Sequence, residues 1–368
     1  MNKGICGDDK ITEGFMMEKI RIAIAGAGNI AQSAHLPAYQ KRDDVEIVAI
    51  CDLNLARAKA CAEKFGIPKA FASAEEMIRS VPCDVVDICV WNRAHSEIAV
   101  LAAEAGRHIL CEKPMALNVS HALRMKEAVE KSGVTFMMAM PRRFLSDVEY
   151  LHQRIAQGEL GDIYYAKTSM IRRRGTPIGW FTDTQKSGGG PVIDIGVHAI
   201  DCAWYLMGRP KPVRVSASTS YAIGDFTTKG VSRWKALDSD VTAFDTEDSA
   251  AGMFTFANGA TLLFEVSWAL NTKENETTIL CGSKGGSALD MAPGAKDPFV
   301  LYTEENDFLL DKRPTLLAVD PFEQEIDYFL ACLRSGTKPD ASLEDGITMI
   351  RMLMGIYDSA REGREVTL

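Results

Sequence analysis

The chain reads as an α/β protein in two halves: a doubly wound parallel sheet covered by helices on both faces, then an α+β half built on a large, open, mostly antiparallel sheet. Three observations predict this. From residue 20 to about 140, apolar runs of strand length alternate with amphipathic helical stretches, as in βα units on a parallel sheet. Beyond residue 140 the pattern changes to strand-like segments joined by turn residues. The 368 residues, 46% of them hydrophobic, are enough for two cores. The expected division is a polar tail over 1–17, a first domain over 18–140 and a second over 141–368.

Taken in order, the elements support the prediction. "MNKGICGDDKITEGFMM" has no basic start leading into an apolar run, so it does not read as a secretory signal. The periodic pattern begins just after it, which makes Met16 or Met17 a candidate start. Ile20 to Ala25 is a continuous apolar run, suited to a strand covered on both faces. It leads into Gly26-Ala27-Gly28-Asn29-Ile30-Ala31, a G-x-G-x-x-A. Gly26 permits a tight turn, Gly28 lets backbone approach a pyrophosphate, and Ala31 allows close helix–strand packing. The helix that follows offers N–H groups and a positive dipole to a phosphate, and Asn29 and Ile30 lie in this turn. A second strand, "VEIVAICD", ends at Asp52, 21 residues beyond Ala31, where an acid grips the adenosine ribose of a dinucleotide. A carboxylate there accepts from a free diol and repels a 2′-phosphate. NAD is therefore favoured, with NADP as the alternative because Arg57 could meet a phosphate.

"AEEMIRS" then reads as a helix, "CDVVDICVW" as a strand, "HSEIAVLAAEAG" as a helix closed by Gly106, and "RHILCEKP" as a strand. "VSHALRMKEAVEKSG" is a helix ending at Gly133, and "VTFMMAM" a last strand. Ligands of such sheets bind beyond the strands' carboxyl ends, where Asp52, Asn92 and Lys113 fall. In the second half "IYYAKTSMIRRR", "VRVSASTSYAI", "DSAAGMFTFANGATLLFEVSWAL" and "ETTILCGSKGGSALDM" are β-rich, with Asn258-Gly259 a two-residue hairpin turn. "GSKGG" lacks the spacing of a phosphate loop and reads as a turn. Helices should cover one face of this sheet, and a partner subunit the other.

Composition excludes several classes. Net charge is −9, and the basic run Arg172-Arg173-Arg174 stands alone, so nucleic acid is not expected as a partner. That run reads as a solvated strand end, with a local anion site as the alternative. Nine scattered cysteines without a C-x-x-C pair argue against a disulfide framework and against a short-spaced zinc site; no metal is expected, and the setting is reducing and cytoplasmic. No apolar run reaches the roughly 20 residues that span a bilayer.

Two clusters carry chemistry. "CEKPM" ends a strand with Glu112 and Lys113, and Pro114 prevents the strand from continuing; Lys113 is thus presented at the cofactor edge. A cis Lys113–Pro114 bond is compatible with the proline. The second cluster is "SGGGPVIDIGVHAIDCAWYLMG", a helix ended by Gly208 on which Asp194, His198 and Asp201 share one face. Buried polar groups on an apolar helix must be hydrogen-bonded or line a cavity. Trp180 and Arg172 are further candidates to frame a substrate, with core packing and surface charge as their alternatives.

These residues together resemble the glucose–fructose oxidoreductase / inositol dehydrogenase / MocA-like (Gfo/Idh/MocA) family. The resemblance rests on the G-x-G-x-x-A opening, "EKP" at 112–114, "GGGPVIDIGVHAID" at 188–201 and the closing "DSAREGREVTL". "WNRAHSEIA" at 91–99 is also similar, with Trp91 where the family more often has proline. The resemblance implies a Rossmann domain and a second α/β domain packed as a homodimer or homotetramer. It also implies reversible oxidation of a secondary alcohol on a sugar, inositol or related polyol with NAD or NADP. By this resemblance Lys113, Asp194 and His198 line the catalytic pocket. The residues expected to face the cofactor are Gly26, Gly28, Asn29, Ile30, Asp52, Asn92, His95, Glu112 and Lys113, and the candidates to frame the substrate are Trp180, Arg172 and Asp201. Oxidation of an alcohol needs a base for its hydroxyl proton. Histidine titrates near neutrality, and lysine, ordinarily near ~10.4, can be lowered by burial. His198 is read as the acid/base, Lys113 as a donor to the substrate oxygen, and Asp194 as orienting His198 or binding a neighbouring hydroxyl; the first two roles could be exchanged. Two other functions use the same fold: a redox-neutral NAD-dependent glycosidase and a non-catalytic NAD/sugar-binding regulator.

Overall fold

The computed structural model describes residues 18–225, 228–237, 243–292 and 294–368; the tail expected over 1–17 lies outside them. The first sheet has six strands: β1 (Ile20–Ala25), β2 (Val45–Cys51), β3 (Ala70–Phe71), β4 (Val85–Ile88), β5 (His108–Cys111) and β6 (Phe136–Met138). They run parallel in the order β3-β2-β1-β4-β5-β6. The order reverses between β1 and β4, so a crevice opens at the carboxyl ends of these two strands. The apolar runs read from the sequence are buried on both faces, as parallel strands between helices must be. Helices α1 (Leu36–Gln40), α2 (Leu55–Phe65), α3 (Ala74–Ser80), α4 (Asn92–Glu104) and α5 (Val119–Ser132) make the crossovers. The helix starts follow local chemistry: the Asn54, Ser73 and Asn118 side chains accept from the first-turn amides of α2, α3 and α5.

The second sheet has nine strands: β7 (Ile163–Ile171), β8 (Pro212–Ser220), β9 (Ser249–Phe256), β10 (Thr261–Ser267), β11 (Asn275–Gly282), β12 (Gly286–Asp290), β13 (Phe299–Glu305), β14 (Phe308–Lys312) and β15 (Val366–Thr367). Their order is β14-β13-β12-β11-β7-β10-β9-β8-β15, antiparallel except at β7–β10. Asn258-Gly259 turns β9 into β10 as expected, and "GSKGG" turns β11 into β12. Helices α6 (Ser146–Ala156), α7 (Thr184–Ser187), α8 (Val197–Leu206), α9 (Pro321–Ser335) and α10 (Leu343–Glu362) complete the chain. Phe254, Leu262, Phe264, Val266 and Leu280 point inward and join the core with α8 and α10. On the opposite face Met253, Leu263 and Ile279 remain open to solvent, Met253 to 36%. One element returns across the division at residue 140: Ile326, Phe329 and Leu330 of α9 pack with Ile22, Ile24 and Tyr39 of the first domain. Among the described residues no helix is long and apolar enough to cross a membrane.

Candidate functional site

A cavity of about 1480 Å³ occupies the crevice between the two sheets, larger than most small-molecule sites. Its nucleotide-facing end is built by the β1 turn. Gly26 has φ +106°, and a side chain there would begin 2.3 Å from the Cys89 carbonyl oxygen, so only glycine fits. Gly26, Gly28, Asn29 and Ile30 all line the cavity. The helix after them widens to a π-turn over Ala31–His35. Asp52, at the end of β2, lines the same end. Its carboxylate accepts from Ala27 N (3.0 Å), Asn54 N (2.8 Å) and, bidentately, Arg57 Nε and Nη2 (3.0 and 2.7 Å). A carboxylate has about four acceptor positions, so a ribose diol must share them. Bare backbone at Gly26–Gly28, a helix N-terminus beyond it and an acid at the end of β2 fit a dinucleotide.

The chemical end lies where β5 meets the helix leading into α8. Lys113 Nζ donates to the Asp194 carbonyl oxygen (2.8 Å) and to its Oδ1 (3.4 Å). Trp268, fully buried at the end of β10, donates from Nε1 to Asp194 Oδ2 (3.0 Å). Asp194 sits in a π-turn over Val192–Gly196, and the Glu247 carboxylate accepts from Gly190 N (2.9 Å) and Val192 N (3.1 Å) at its start. His198 follows on α8, lines the cavity, and its Nδ1 has no partner among the described residues. Burial, then the positive charges of Lys113, Arg142 and Arg172, hold His198 well below the usual histidine value, so it is neutral near pH 7. Asp194 therefore partners Lys113 and Trp268; it does not orient His198, as one sequence reading had it.

Glu112 also lines the cavity, but its carboxylate is engaged: Oε2 accepts from Lys113 N (3.0 Å), and Oε1 faces His35 Nε2 (3.0 Å). His35 is fully buried, with Nδ1 2.8 Å from Asp87 Oδ2. Burial opposes its charge, yet the Asp87 carboxylate and its neighbours hold it well above the usual value. The Lys113–Pro114 bond is cis.

Two expected site residues lie elsewhere. Asp201 follows His198 by three residues, about 60° around the helix, and this turns it to Arg143 Nε and Nη2 (2.9 and 2.6 Å). At 1% exposure it is part of a buried ion pair. His95 does not line the cavity: it is fully buried, its ring nitrogens against the Pro114 (2.8 Å) and Val90 (3.1 Å) carbonyls. Asn92 does line the cavity, and its amide donates across the domains to Ser187 O (2.7 Å). Trp180 and Arg172 also line it. Trp180 stacks on Phe181 (4.0 Å between centroids), and Phe181 meets Trp234 edge-on (5.1 Å), giving an aromatic wall. Trp91 lines the cavity under Lys186, whose Nζ is 5.1 Å from the ring centroid. Sequence reasoning missed Trp268, Trp234, Glu247 and Phe322. Of these Trp268 carried a signal, an indole N–H at a strand end needing an acceptor.

Comparison with known proteins agrees with this geometry. Residues 20–140 match the family model described as "Oxidoreductase family, NAD-binding Rossmann fold", and residues 148–287 match the Gfo/Idh/MocA C-terminal domain. The chain is 34% identical to D-glucoside 3-dehydrogenase of Escherichia coli (strain K12), over 95% of this chain and 97% of that protein. It is 31% identical to a putative UDP-kanosamine synthase oxidoreductase subunit of Amycolatopsis mediterranei, over 73% of this chain and 74% of that protein. Among solved structures, an aldose-aldose oxidoreductase from Caulobacter crescentus superposes with TM-score 0.80 at 26% identity, covering 95% of this chain and all of that one. The chain belongs to the Gfo/Idh/MocA family of NAD-binding oxidoreductases.

Proposed function

From this membership, we propose that the protein is an NAD-dependent dehydrogenase that interconverts a secondary alcohol and a ketone on a sugar, polyol or glycoside. The observation that carries the proposal is the convergence of Lys113, Asp194 and His198 on one cavity whose other end presents the bare Gly26–Gly28 backbone and Asp52. When bound, the nicotinamide supplies an acceptor for the hydride of the alcohol carbon. His198, neutral near pH 7, takes the hydroxyl proton. Lys113 has three ammonium hydrogens; two meet Asp194, and the third is available to the substrate oxygen. Asp194 holds Lys113 in place and is itself fixed by Trp268. Asp52 supports NAD over NADP, since its charge opposes a 2′-phosphate. The open apolar face around Met253, Leu263 and Ile279 supports pairing of subunits through the nine-stranded sheet.

The test follows absorbance at 340 nm with NAD and with NADP across a panel of sugars, polyols, inositols and glycosides. D-glucosides come first because the 34%-identical relative bears their name. NADH formation on one of these is expected, and His198→Asn or Lys113→Met should lower turnover by roughly 10²–10⁴-fold. Aryl-glycoside hydrolysis without NADH would point to redox-neutral cleavage. Unchanged turnover in both variants would overturn the assigned roles.

A further inference from the structure

The charges lining the cavity do not balance at its substrate end. Of the cavity carboxylates, Asp194 is paired with Lys113, Asp52 with Arg57, Asp183 with Lys186 and Glu112 with His35. Arg172 also lines the cavity, and among the described residues it forms no ion pair. Among the described residues its only side-chain hydrogen bond is a long one, Nη1 to Gly175 O at 3.4 Å. A guanidinium carries five N–H donors and keeps its charge.

Arg172 is held in place rather than left on a loose strand end. It follows β7, its amide donates to Ser267 O (2.9 Å), and Ser267 Oγ donates back to Arg172 O (3.4 Å). The next residue of that strand end is Trp268, which fixes Asp194. Gly175 donates to Trp268 O (2.7 Å), and a side chain at 175 would begin 2.4 Å from Arg172 Cδ; glycine there leaves room for the arginine stem to lie across the turn. The neighbouring arginines do not line the cavity: Arg174 donates to Asn271 Oδ1 (2.7 Å), and Arg173 is exposed, its backbone amide donating to Glu274 Oε1 (3.2 Å). The same helix end that carries Asp194 and His198 thus faces a positioned cation with no counter-charge.

Covering a cation with a neutral ligand removes its water and returns no charge. A carboxylate or phosphate returns both charge and paired acceptors. Resting on the sugar-dehydrogenase reading above, we propose that Arg172 selects an anionic group on the substrate, so that the pocket prefers an acidic sugar, a uronide or a sugar phosphate, to its neutral counterpart.

The test measures affinity for the NADH-loaded protein by calorimetry near physiological salt. Methyl β-D-glucoside is compared with methyl β-D-glucuronide, which differs only by a carboxylate at C6. Glucose against glucose 6-phosphate tests the phosphate source. At least one acid is expected to bind roughly tenfold or more tightly than its neutral partner, and which one does so names the anion. Arg172→Leu should reduce the ratio to near one while leaving NADH affinity unchanged; Arg172→Lys should retain part of it. Thermal melting of each variant verifies folding. Equal affinities in the wild type, or a preference that persists in Arg172→Leu, would overturn the proposal. So would weaker NADH binding in Arg172→Leu, which would assign the arginine to the cofactor. Absence of NADH binding in the wild type would overturn the dinucleotide reading on which this one rests.

Discussion

Removing the indole N–H of Trp268 probes how tightly Asp194 must be held. In Trp268→Phe the ring stays apolar and aromatic, but Asp194 Oδ2 loses its donor at 3.0 Å. A hydrogen bond to a charged group contributes about 1.5–3 kcal/mol. The Asp194 side chain is 15% exposed, so water can take up part of the loss, which places the cost near the lower end, about 1.5 kcal/mol. At about 1.4 kcal/mol per decade, kcat/KM should fall roughly tenfold if Asp194 orientation governs how Lys113 meets the substrate. Lys113 contacts Oδ1 at 3.4 Å and the Asp194 carbonyl at 2.8 Å, so it retains its second anchor and the loss should stop short of that in Lys113→Met. The assay is steady-state oxidation at saturating NAD, with thermal melting alongside to separate lost packing from lost orientation. A double-mutant cycle with Asp194→Asn isolates the pair: most of the Trp268→Phe effect should vanish in that background. A folded Trp268→Phe with unchanged kcat/KM, or one whose loss is the same with and without the Asp194 carboxylate, would refute the reasoning.

Asp52→Ala should release Arg57 toward a 2′-phosphate and raise the NADP:NAD ratio of kcat/KM roughly tenfold; an unchanged ratio places Asp52 away from the ribose. Gly26→Ala imposes φ +106° on alanine and drives its side chain into the Cys89 carbonyl; it should cost at least about 1 kcal/mol of stability and abolish NADH binding, read by melting and fluorescence titration. Burial, Lys113, Arg142 and Arg172 lower the His198 value, so the base form persists below pH 6.5 and kcat/KM should stay level from about pH 8 to about pH 6. In the same low-pH range the unfolded chain binds a proton that folded His198 refuses, so stability from this group falls as pH drops below about 6.5; a pH-rate profile and melting series in wild type and His198→Asn check both. Asp201→Asn leaves Arg143, 4% exposed, with Asp345 as its closest remaining acid; it should cost about 3 kcal/mol of stability while leaving KM for the substrate close to wild type.

The parallel sheet was legible because each of its elements is local: Ile20–Ala25, the glycine turn and the acid at 52 lie within a single βαβ unit. The helix of Asp194 and His198 was legible for the same reason, since its apolar pattern and terminal Gly208 are adjacent in sequence. What could not be read was which residues meet across long separations. Asp201 shares a helix face with His198 by spacing alone, but Arg143, 58 residues away, competes for it and wins. Trp268 and Asp194 are 74 residues apart, and no periodicity links them. His95 carried the polarity of a ligand, yet its ring is buried against the Pro114 and Val90 carbonyls and away from the cavity lining. The sequence reading of "IRRR" weighed a solvated end against an anion site for the run as a whole; the fold divides it, turning Arg174 outward and Arg172 in.

The return of α9 to the first domain bears on how the chain is made. Ile326, Phe329 and Leu330 close an apolar face formed by Ile22, Ile24 and Tyr39, and the Glu325 carboxylate receives the Met140 amide beyond β6. On the ribosome the first domain is finished near residue 140, yet its last helix emerges roughly 180 residues later, a delay of about 10–40 s at ordinary translation speeds. During that interval the nucleotide-binding half exists with one flank bare, and fully burying each of the three missing side chains contributes roughly 1.5–3 kcal/mol. A nascent chain stalled before residue 320 should therefore be held by chaperones or degraded by protease, whereas one stalled with α9 outside the exit tunnel should resist both. For this protein the dinucleotide domain, synthesised first, is closed only after most of the second domain has left the ribosome.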